Sequence, residues 1–233
     1  MKPLWLRLFL TIAMLMAAVG CGQSQDPLPG IRSDLGKKGI DTYSIMLADM
    51  QEEGNFFKTY YHTYRVVAPE KDLSDTFGPI EVPKKMFDRY KPYLGMTIWA
   101  QRDGKVNESA APPGYAYVGD PRYGQWRSDS SGRSFWVFYG QYRMLSDLLG
   151  VGGRLFRDDY DDYRGYRSKN RPYYGPNQRY GTSGAFTRKQ YPDFFQRHQA
   201  KARVSSSTFA DKVNKRIGRT RTSVRGRGFS GGK

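Results

Sequence analysis

The amino-acid sequence predicts an α+β fold, in which a small domain with an antiparallel sheet and two or three short helices is followed by a largely disordered basic tail. Between residues 41 and 150, segments rich in aromatic and β-branched residues alternate with short segments of helical spacing. Charge then divides the chain, because residues 1–150 hold 18 Lys and Arg against 16 Asp and Glu, whereas residues 151–233 hold 20 against 6. Leu, Ile, Val and Phe provide 12 of the last 83 residues, too few to offset the entropy lost on folding.

The N-terminal segment has the pattern of an export signal. Lys2 and Arg7 precede an apolar run of twelve residues, and small residues then lead to Cys21, the only cysteine in the chain. That run is shorter than the roughly 20 residues that a spanning helix needs. The pattern therefore predicts a signal peptide over residues 1–20, and an uncleaved anchor helix or an ordinary cleaved signal is the alternative.

The residues before the cysteine resemble the lipobox of bacterial lipoproteins, in which Ala18, Val19 and Gly20 would precede the modified Cys21. The resemblance implies that Cys21 takes a diacylglycerol thioether and becomes the mature N-terminus. The family usually has Leu where Ala18 stands, so this position departs from the pattern. In Gram-negative members, Asp after the cysteine favours inner-membrane retention, and Gly22 therefore points to the outer membrane. By this resemblance, the chain is a lipid-anchored protein of the cell envelope.

The first elements after the signal are predicted to be a tether and a helix. Residues 21–40 contain prolines and glycines typical of a linker, so we expect a lipidated tether there. Asp41 and Thr42 can cap a helix, and Gly54 would end it. Four apolar residues lie at helical spacing between these ends: Tyr43, Met46, Leu47 and Met50.

Strands and a second helix are predicted from residue 55 onward. Residues 55–68 are rich in aromatic and β-branched side chains and predict a long strand, and Met96–Gln101 predicts another. Pro83 fits the first turn of a short helix between the two strands.

The stretch up to Gly150 carries the clearest strand pattern. Residues 115–118 predict a short strand, and the turn-rich segment 128–132 separates two runs that predict a β-hairpin. Residues 135–139 are apolar throughout, as expected of a central strand. An apolar stripe at helical spacing then closes the predicted domain before Gly150.

Residues able to support catalysis or hold a metal are scarce in the sequence. The two histidines, His62 and His198, have no free cysteine to join them in a metal site. The acidic run at residues 158–162 lacks the spacing of a calcium loop, and the arginines around it predict charge pairing instead. We therefore expect no cofactor and no catalytic residue. The alternative is an envelope enzyme that acts on cell-wall or lipid substrates through carboxylates without a recognisable pattern.

An aromatic set in the second half of the predicted domain has two interpretations. Its members are Tyr115, Tyr117, Tyr123, Trp126 and Trp136. Flat exposed rings would stack on sugar faces, whereas buried rings would enlarge the core of a domain that has no disulfide. Alternating strand positions favour the core.

The tail over residues 151–233 is the predicted binding segment. A short basic amphipathic helix is expected at residues 208–217, with Phe209 and Val213 on its apolar side. In a cytosolic protein, the Arg-Gly repeats would suggest RNA, but export makes nucleic acid an unexpected partner. The residues predicted to contact an anionic surface are Lys212, Lys215, Arg216, Arg219, Arg221, Arg225 and Arg227.

These observations predict a non-enzymatic envelope protein with a binding or structural role. Guanidinium groups pair with phosphate in a bidentate way, so the tail suits anionic phospholipid, lipopolysaccharide or another envelope polyanion, or a protein partner. A solvated tail without a defined partner is the alternative interpretation of the same charges.

Overall fold

The fold is α+β, as predicted, and is built on two antiparallel sheets. In the computed structural model used here, residues 25–54, 56–149, 154–204 and Val213 are described. The larger sheet has five strands in the order β3-β2-β1-β4-β5, and the smaller has three in the order β6-β7-β8. In chain order the elements are α1 (Leu28–Lys37), β1 (Tyr43–Glu53), β2 (Thr59–Ala68), β3 (Leu73–Val82), α2 (Lys84–Tyr90), β4 (Thr97–Arg102), β5 (Lys105–Asn107), β6 (Gly124–Ser128), β7 (Ser134–Phe138), α3 (Arg143–Leu148), β8 (Leu155–Phe156), α4 (Arg157–Ser168), α5 (Ala185–Gln190) and α6, described over residues 192–204.

One face of the five-stranded sheet is covered by helices from both ends of the described chain. α1 buries Leu28, Ile31 and Leu35, a spacing that places all three on one side of a helix. They share a core with Tyr64 of β2 and with Phe194 of α6. Burial of these apolar side chains is the main stabilising contribution to this half of the fold.

The smaller sheet builds a second core, which is rich in tyrosine. Tyr115, Tyr123, Tyr163 and Tyr173 are buried there together with Trp136. Tyrosine adds a large apolar surface but also a hydroxyl that needs a partner when buried. The two cores meet at the larger sheet, whose residues Met46 and Val67 belong to the tyrosine-rich cluster.

Hydroxyl groups of two of these tyrosines join the two sheets. Tyr117 donates a hydrogen bond of 3.4 Å to the carbonyl oxygen of Val67 at the end of β2. Tyr123 donates one of 2.6 Å to the carboxylate of Glu70 in the turn that follows. The smaller sheet is therefore fixed to the end of the larger one where β2 finishes.

The predicted helix over residues 43–50 is wrong, because this segment is the central strand β1. A β-bulge between Leu47 and Asp49 shifts the register against β2, and a bulge interrupts the two-residue alternation of a strand. Both faces of β1 are buried over residues 43–47, with Tyr43, Leu47 and Met50 in one core cluster and Met46 in the other. Burial on two faces, together with the bulge, therefore gives the spacing that a helix would show.

The predicted boundaries of the domain at residues 41 and 150 are both corrected. Residues 28–37 of the expected tether form α1 and pack into the core. Residues 154–204 of the expected disordered tail form β8 and three helices. They were mistaken for a tail because their core contacts come from tyrosines, such as Tyr163 at 1% exposure, which a count of aliphatic residues and Phe leaves out.

Several other predicted elements are confirmed. The helix beginning after Pro83, the strand near residue 97, the hairpin around residues 128–132 and the helix before residue 150 are present as α2, β4, β6–β7 and α3. Residues 115–117 form a 3₁₀ turn instead of a strand, and β3 was not predicted. Among the residues that the structure describes, no helix is both long and apolar enough to cross a bilayer.

Candidate functional site

The site residues predicted from the sequence lie outside the described ranges. This applies to Cys21 and to all seven basic residues of the tail, from Lys212 to Arg227. Of the predicted helix at 208–217, the described part includes Val213 alone, which is helical. The structure does describe how the chain approaches these segments, at residue 25 on one side and at residue 204 on the other.

α6 leads the chain along β1 toward the end of that strand. Phe194, near its start, is buried in the aliphatic core. One turn further, the guanidinium of Arg197 donates to both carboxylate oxygens of Asp49, at 2.5 and 2.6 Å. One more turn on, the ammonium of Lys201 donates to the backbone carbonyl of Glu52. The chain therefore reaches residue 204 beside the last residues of β1.

The hairpin that joins β1 to β2 ends at the same place with two exposed phenylalanines. Phe56 is 97% exposed and Phe57 is 93% exposed. Most other large apolar side chains of the described residues are buried or half-buried, so this adjacent pair is unusual. We refer to Gly54, Phe56, Phe57 and Lys58 as the tip, and to the end of the sheet that carries the tip and the end of α6 as the tip end.

Backbone geometry and one ion pair hold the tip in this shape. Gly54 has a φ of +84°, and a Cβ atom at this position would lie 1.9 Å from the carbonyl oxygen of Phe57. Glycine is therefore required, both for the left-handed conformation and for the close approach. Lys58 closes the loop with an ion pair of 2.5 Å to the carboxylate of Glu52.

The electrostatic environment of the tip end is set by lysines and arginines. Hydrogen bonding to Lys58 holds the pKa of the Glu52 carboxyl below its usual range, and Lys201 and Lys91 act in the same direction. The same ion pair raises the pKa of Lys58. Of the carboxylates at this end, Asp49 and Glu52 are engaged by basic side chains, whereas Glu53, the last residue of β1, is exposed.

A second cluster of charges serves to join structural elements. Arg122 pairs with Asp103 at 2.5 Å and with Asp120 at 2.8 Å. Hydrogen bonding to Arg122 lowers the pKa of both carboxyls. The network connects the turn after β4 to the segment that precedes β6, so its geometry accounts for its charges without a ligand.

His62 is a buried residue of β2 in the larger sheet. Its Nδ1 lies 2.9 Å from the hydroxyl of Tyr64, and its ring stacks on Phe87 at 5.5 Å between centroids. Burial lowers the pKa of His62 to about 4. Its Nε2 has no hydrogen-bond partner among the described residues.

The aromatic set is used in the core, as the alternation favoured. Tyr115, Tyr117, Tyr123 and Trp136 are buried. Trp126 is half-buried, with Tyr160 at 5.6 Å and the guanidinium of Arg157 over its ring at 4.7 Å. None of these five rings offers an open face on which a sugar could stack.

One member of the acidic run and one of the scattered carboxylates have local partners. Asp161 pairs with Arg157 at 3.4 Å and with Arg164 at 3.8 Å, which confirms charge pairing for this member of the run. Burial raises the pKa of Asp159. Within the described ranges, no three His, Cys, Asp or Glu side chains come close enough to hold a metal ion. Asp129 accepts hydrogen bonds within its own turn.

No protein-family model, curated protein or solved structure shows significant similarity to the chain. The candidate site is therefore defined by the geometry of this molecule alone. Sequence reasoning missed the tip because Phe56 and Phe57 lie next to a strand-like segment, in which aromatic residues indicate burial. The signal that could have found them is the preceding Gly54, which places the turn and so leaves the pair outside the paired strands.

Proposed function

We propose that this chain is a lipid-anchored protein of the cell envelope with a non-enzymatic binding role. In this proposal, Cys21 carries the lipid, and the basic tail contacts an anionic surface of the envelope. If the envelope is Gram-negative, Gly22 after the cysteine favours the outer membrane.

The observation that carries the proposal is the place where the basic tail leaves the fold. α6 brings residue 204 to the tip end, where Lys58 and Lys201 already lie. The 29 residues that follow contain eight Lys and Arg against a single acid, Asp211. The lysines of the folded domain at the tip end and the basic residues of the tail, which begins there, would therefore act together on one anionic surface.

The short connection to the predicted lipid supports the same arrangement. α1 begins at Leu28, so the chain from Cys21 to Leu28 can span at most about 25 Å. The carboxylate of Asp26 accepts a hydrogen bond from the amide of Leu28 at the start of α1, and α1 shares its core with Tyr64 of β2. The lipid would hold the folded domain close enough to the bilayer for anionic headgroups to attract its basic residues.

Metabolic labelling with a fatty-acid analogue tests the anchor. The full chain should incorporate the label, and the Cys21→Ser variant should not, because a hydroxyl cannot form the thioether. Equal incorporation by both chains would contradict lipidation at Cys21.

Vesicle sedimentation tests the surface that the tail binds. A chain beginning at Gly22 retains every described residue and should sediment with vesicles that contain phosphatidylglycerol, but weakly with neutral ones. Each basic side chain near such a surface contributes about 1 kcal/mol, and the attraction decays within a Debye length of about 8 Å in physiological salt. Binding should therefore fall steeply toward 0.5 M salt, where the Debye length is about 4 Å. Deletion of residues 205–233 should weaken binding strongly, and binding unchanged by that deletion would contradict the role of the tail.

A further inference from the structure

The tip exposes an apolar surface that does not contribute to the packing of the described fold. Phe56 and Phe57 are adjacent and almost fully exposed, whereas a phenylalanine inside a core is among the largest contributors to stability. Among the described residues, no guanidinium is positioned over either ring, although nine such contacts cover other aromatic rings. The exposed pair therefore has a role outside the fold.

The strands beneath the tip hold the two rings away from the domain. β1 and β2 stay paired up to Glu53 and Thr59, so the loop begins where the ladder ends. The turn at Gly54 and the ion pair between Lys58 and Glu52 then fix its two sides. Holding both ends of the loop reduces the ordering that binding would require of Phe56 and Phe57.

The surroundings of the rings define the partner. Val204, the last residue described in α6 before the tail, is 65% exposed at the same end. Lys58 follows Phe57 directly and pairs with Glu52, and Lys201 contacts the backbone carbonyl of Glu52. The carboxylates of Glu52 and Glu53 offset these two charges, so the positive excess near the tip comes from the tail, which has eight Lys and Arg against Asp211. Exposed apolar rings close to the start of a basic segment match the boundary between acyl chains and anionic headgroups. A soluble polyanion would match the charges but would leave the rings in water.

We propose that Phe56 and Phe57 insert into the interfacial layer of an anionic phospholipid bilayer, with the neighbouring lysines at headgroup level. The inference rests on the proposed function in that the anionic surface is taken to be a membrane, and it adds a second, apolar contact to the one made by the tail. A diacylglycerol on Cys21 brings two acyl chains and would anchor the chain stably by itself, so the tip would serve to orient the folded domain against the bilayer.

Vesicle partitioning of matched variants tests the proposal. On the chain beginning at Gly22, the double variant Phe56→Ser/Phe57→Ser should bind phosphatidylglycerol vesicles about 100-fold more weakly, since each inserted ring contributes roughly tenfold. The control is Val106→Ser, which removes a half-exposed apolar side chain from β5 and should bind like the parent chain. The thermal midpoint of the double variant should match that of the parent, because neither ring packs in the core.

The outcomes separate this inference from the proposed function. Loss of vesicle binding in the double variant, with unchanged binding to polyphosphate in solution, supports insertion. If the double variant binds vesicles like the parent while deletion of residues 205–233 abolishes binding, the inference is overturned and the role of the tail stands. If the deletion has no effect and the double variant loses binding, the tip alone carries recognition. A parent chain that binds polyphosphate but no vesicles overturns the inference.

Discussion

Two of the hairpins in the described structure, β1–β2 and β6–β7, have loops of the same length and opposite chemistry. β1 and β2 are joined by residues 54–58, between the paired residues Glu53 and Thr59. β6 and β7 are joined by residues 129–133, between the paired Ser128 and Ser134. Each loop has five residues, and each includes a glycine with positive φ, so the backbone requirements of the two are comparable.

In the second loop, polar groups form hydrogen bonds with one another. One carboxylate oxygen of Asp129 accepts hydrogen bonds from the amide and hydroxyl of Ser131 and from the amide of Arg133. The hydroxyl of Ser131 chiefly lowers the pKa of Asp129. The guanidinium of Arg133 also lies over the ring of Phe156 at 4.6 Å. Its polar groups thus have partners, and the nearby aromatic ring is covered.

The first loop leaves its two rings uncovered in the described structure. Beside β6–β7, arginine and aromatic side chains cover one another, whereas at the tip two phenylalanines are uncovered and the nearby Lys58 and Lys201 contact Glu52. Whether aromatic residues are paired with basic ones, more than their presence, distinguishes the two regions.

Exchanging the two loops should produce the largest effect on binding. Replacing residues 54–58 with the sequence of residues 129–133 preserves loop length and provides an Asp, Ser, Ser, Gly, Arg turn. This variant should fold and should bind phosphatidylglycerol vesicles about 100-fold more weakly than the parent, as the loss of two inserted rings predicts. Sedimentation measures the loss, and circular dichroism checks the fold.

The reverse exchange is the matched control. In the chain that already carries the first exchange, residues 129–133 are replaced with the sequence of residues 54–58. Both phenylalanines then lie on the smaller sheet, away from α6 and from residue 204, where the described chain ends before the tail. Binding should remain weak, because the basic residues of the tip end are not beside the rings. Full recovery would show that any exposed pair of phenylalanines suffices and would remove the basis for a defined tip end.

The two glycines of the loops should differ in how much stability they contribute. A Cβ at Gly54 meets the carbonyl oxygen of Phe57 at 1.9 Å, whereas a Cβ at Gly132 meets nothing within 4 Å. Both substitutions to Ala add the cost of a left-handed conformation, about 1–2 kcal/mol, and Gly54→Ala also forces a backbone shift. Urea unfolding should therefore give a loss of about 3 kcal/mol for Gly54→Ala and about 1 kcal/mol for Gly132→Ala. Equal losses would mean that the tip relaxes easily.

Acid should weaken the larger sheet through His62. Burial lowers the pKa of this side chain to about 4, below the value of about 6.5 in an unfolded chain. The unfolded chain therefore takes up the proton first, so this contribution to stability is complete above pH 6.5 and is lost as the pH falls toward 4. Between pH 7.5 and 5, the free energy of unfolding should fall by about 2 kcal/mol. In the His62→Gln variant, this part of the pH dependence should be absent, and its persistence would assign the effect to carboxylates.

The parts of the fold predicted from sequence are those whose signal is local. The β6–β7 hairpin was predicted because a turn-rich segment lies between two strand-like runs, and α2 because Pro83 precedes a short helical pattern. β1 was assigned to the wrong class because its bulge depends on pairing with β2, which no local pattern contains. Residues 154–204 were assigned to a tail because their burial depends on tyrosines that pack against distant segments, such as Tyr173 against Tyr115.

The candidate site likewise has parts that the sequence predicts and parts that depend on contacts between distant segments. The lipidation motif at Cys21 and the basic tail are features of sequence, and both stay predictions. The tip end depends on two segments far apart in the chain, since the β1–β2 hairpin and α6 meet through Arg197 and Lys201. Composition alone places those two residues in a basic tail and cannot show that they are bound to Asp49 and Glu52 of β1.

The depth of the two loops in a membrane tests the central claim most directly. The chain beginning at Gly22 contains no cysteine, so Phe57→Cys and Ser131→Cys each provide a single position for an environment-sensitive fluorophore. On phosphatidylglycerol vesicles, the label at position 57 should shift its emission to the blue and be quenched by quenchers in the acyl chains. The label at position 131 should keep the emission it has in water. Equal behaviour of the two labels, or a deeper label at position 131, would contradict insertion of the tip.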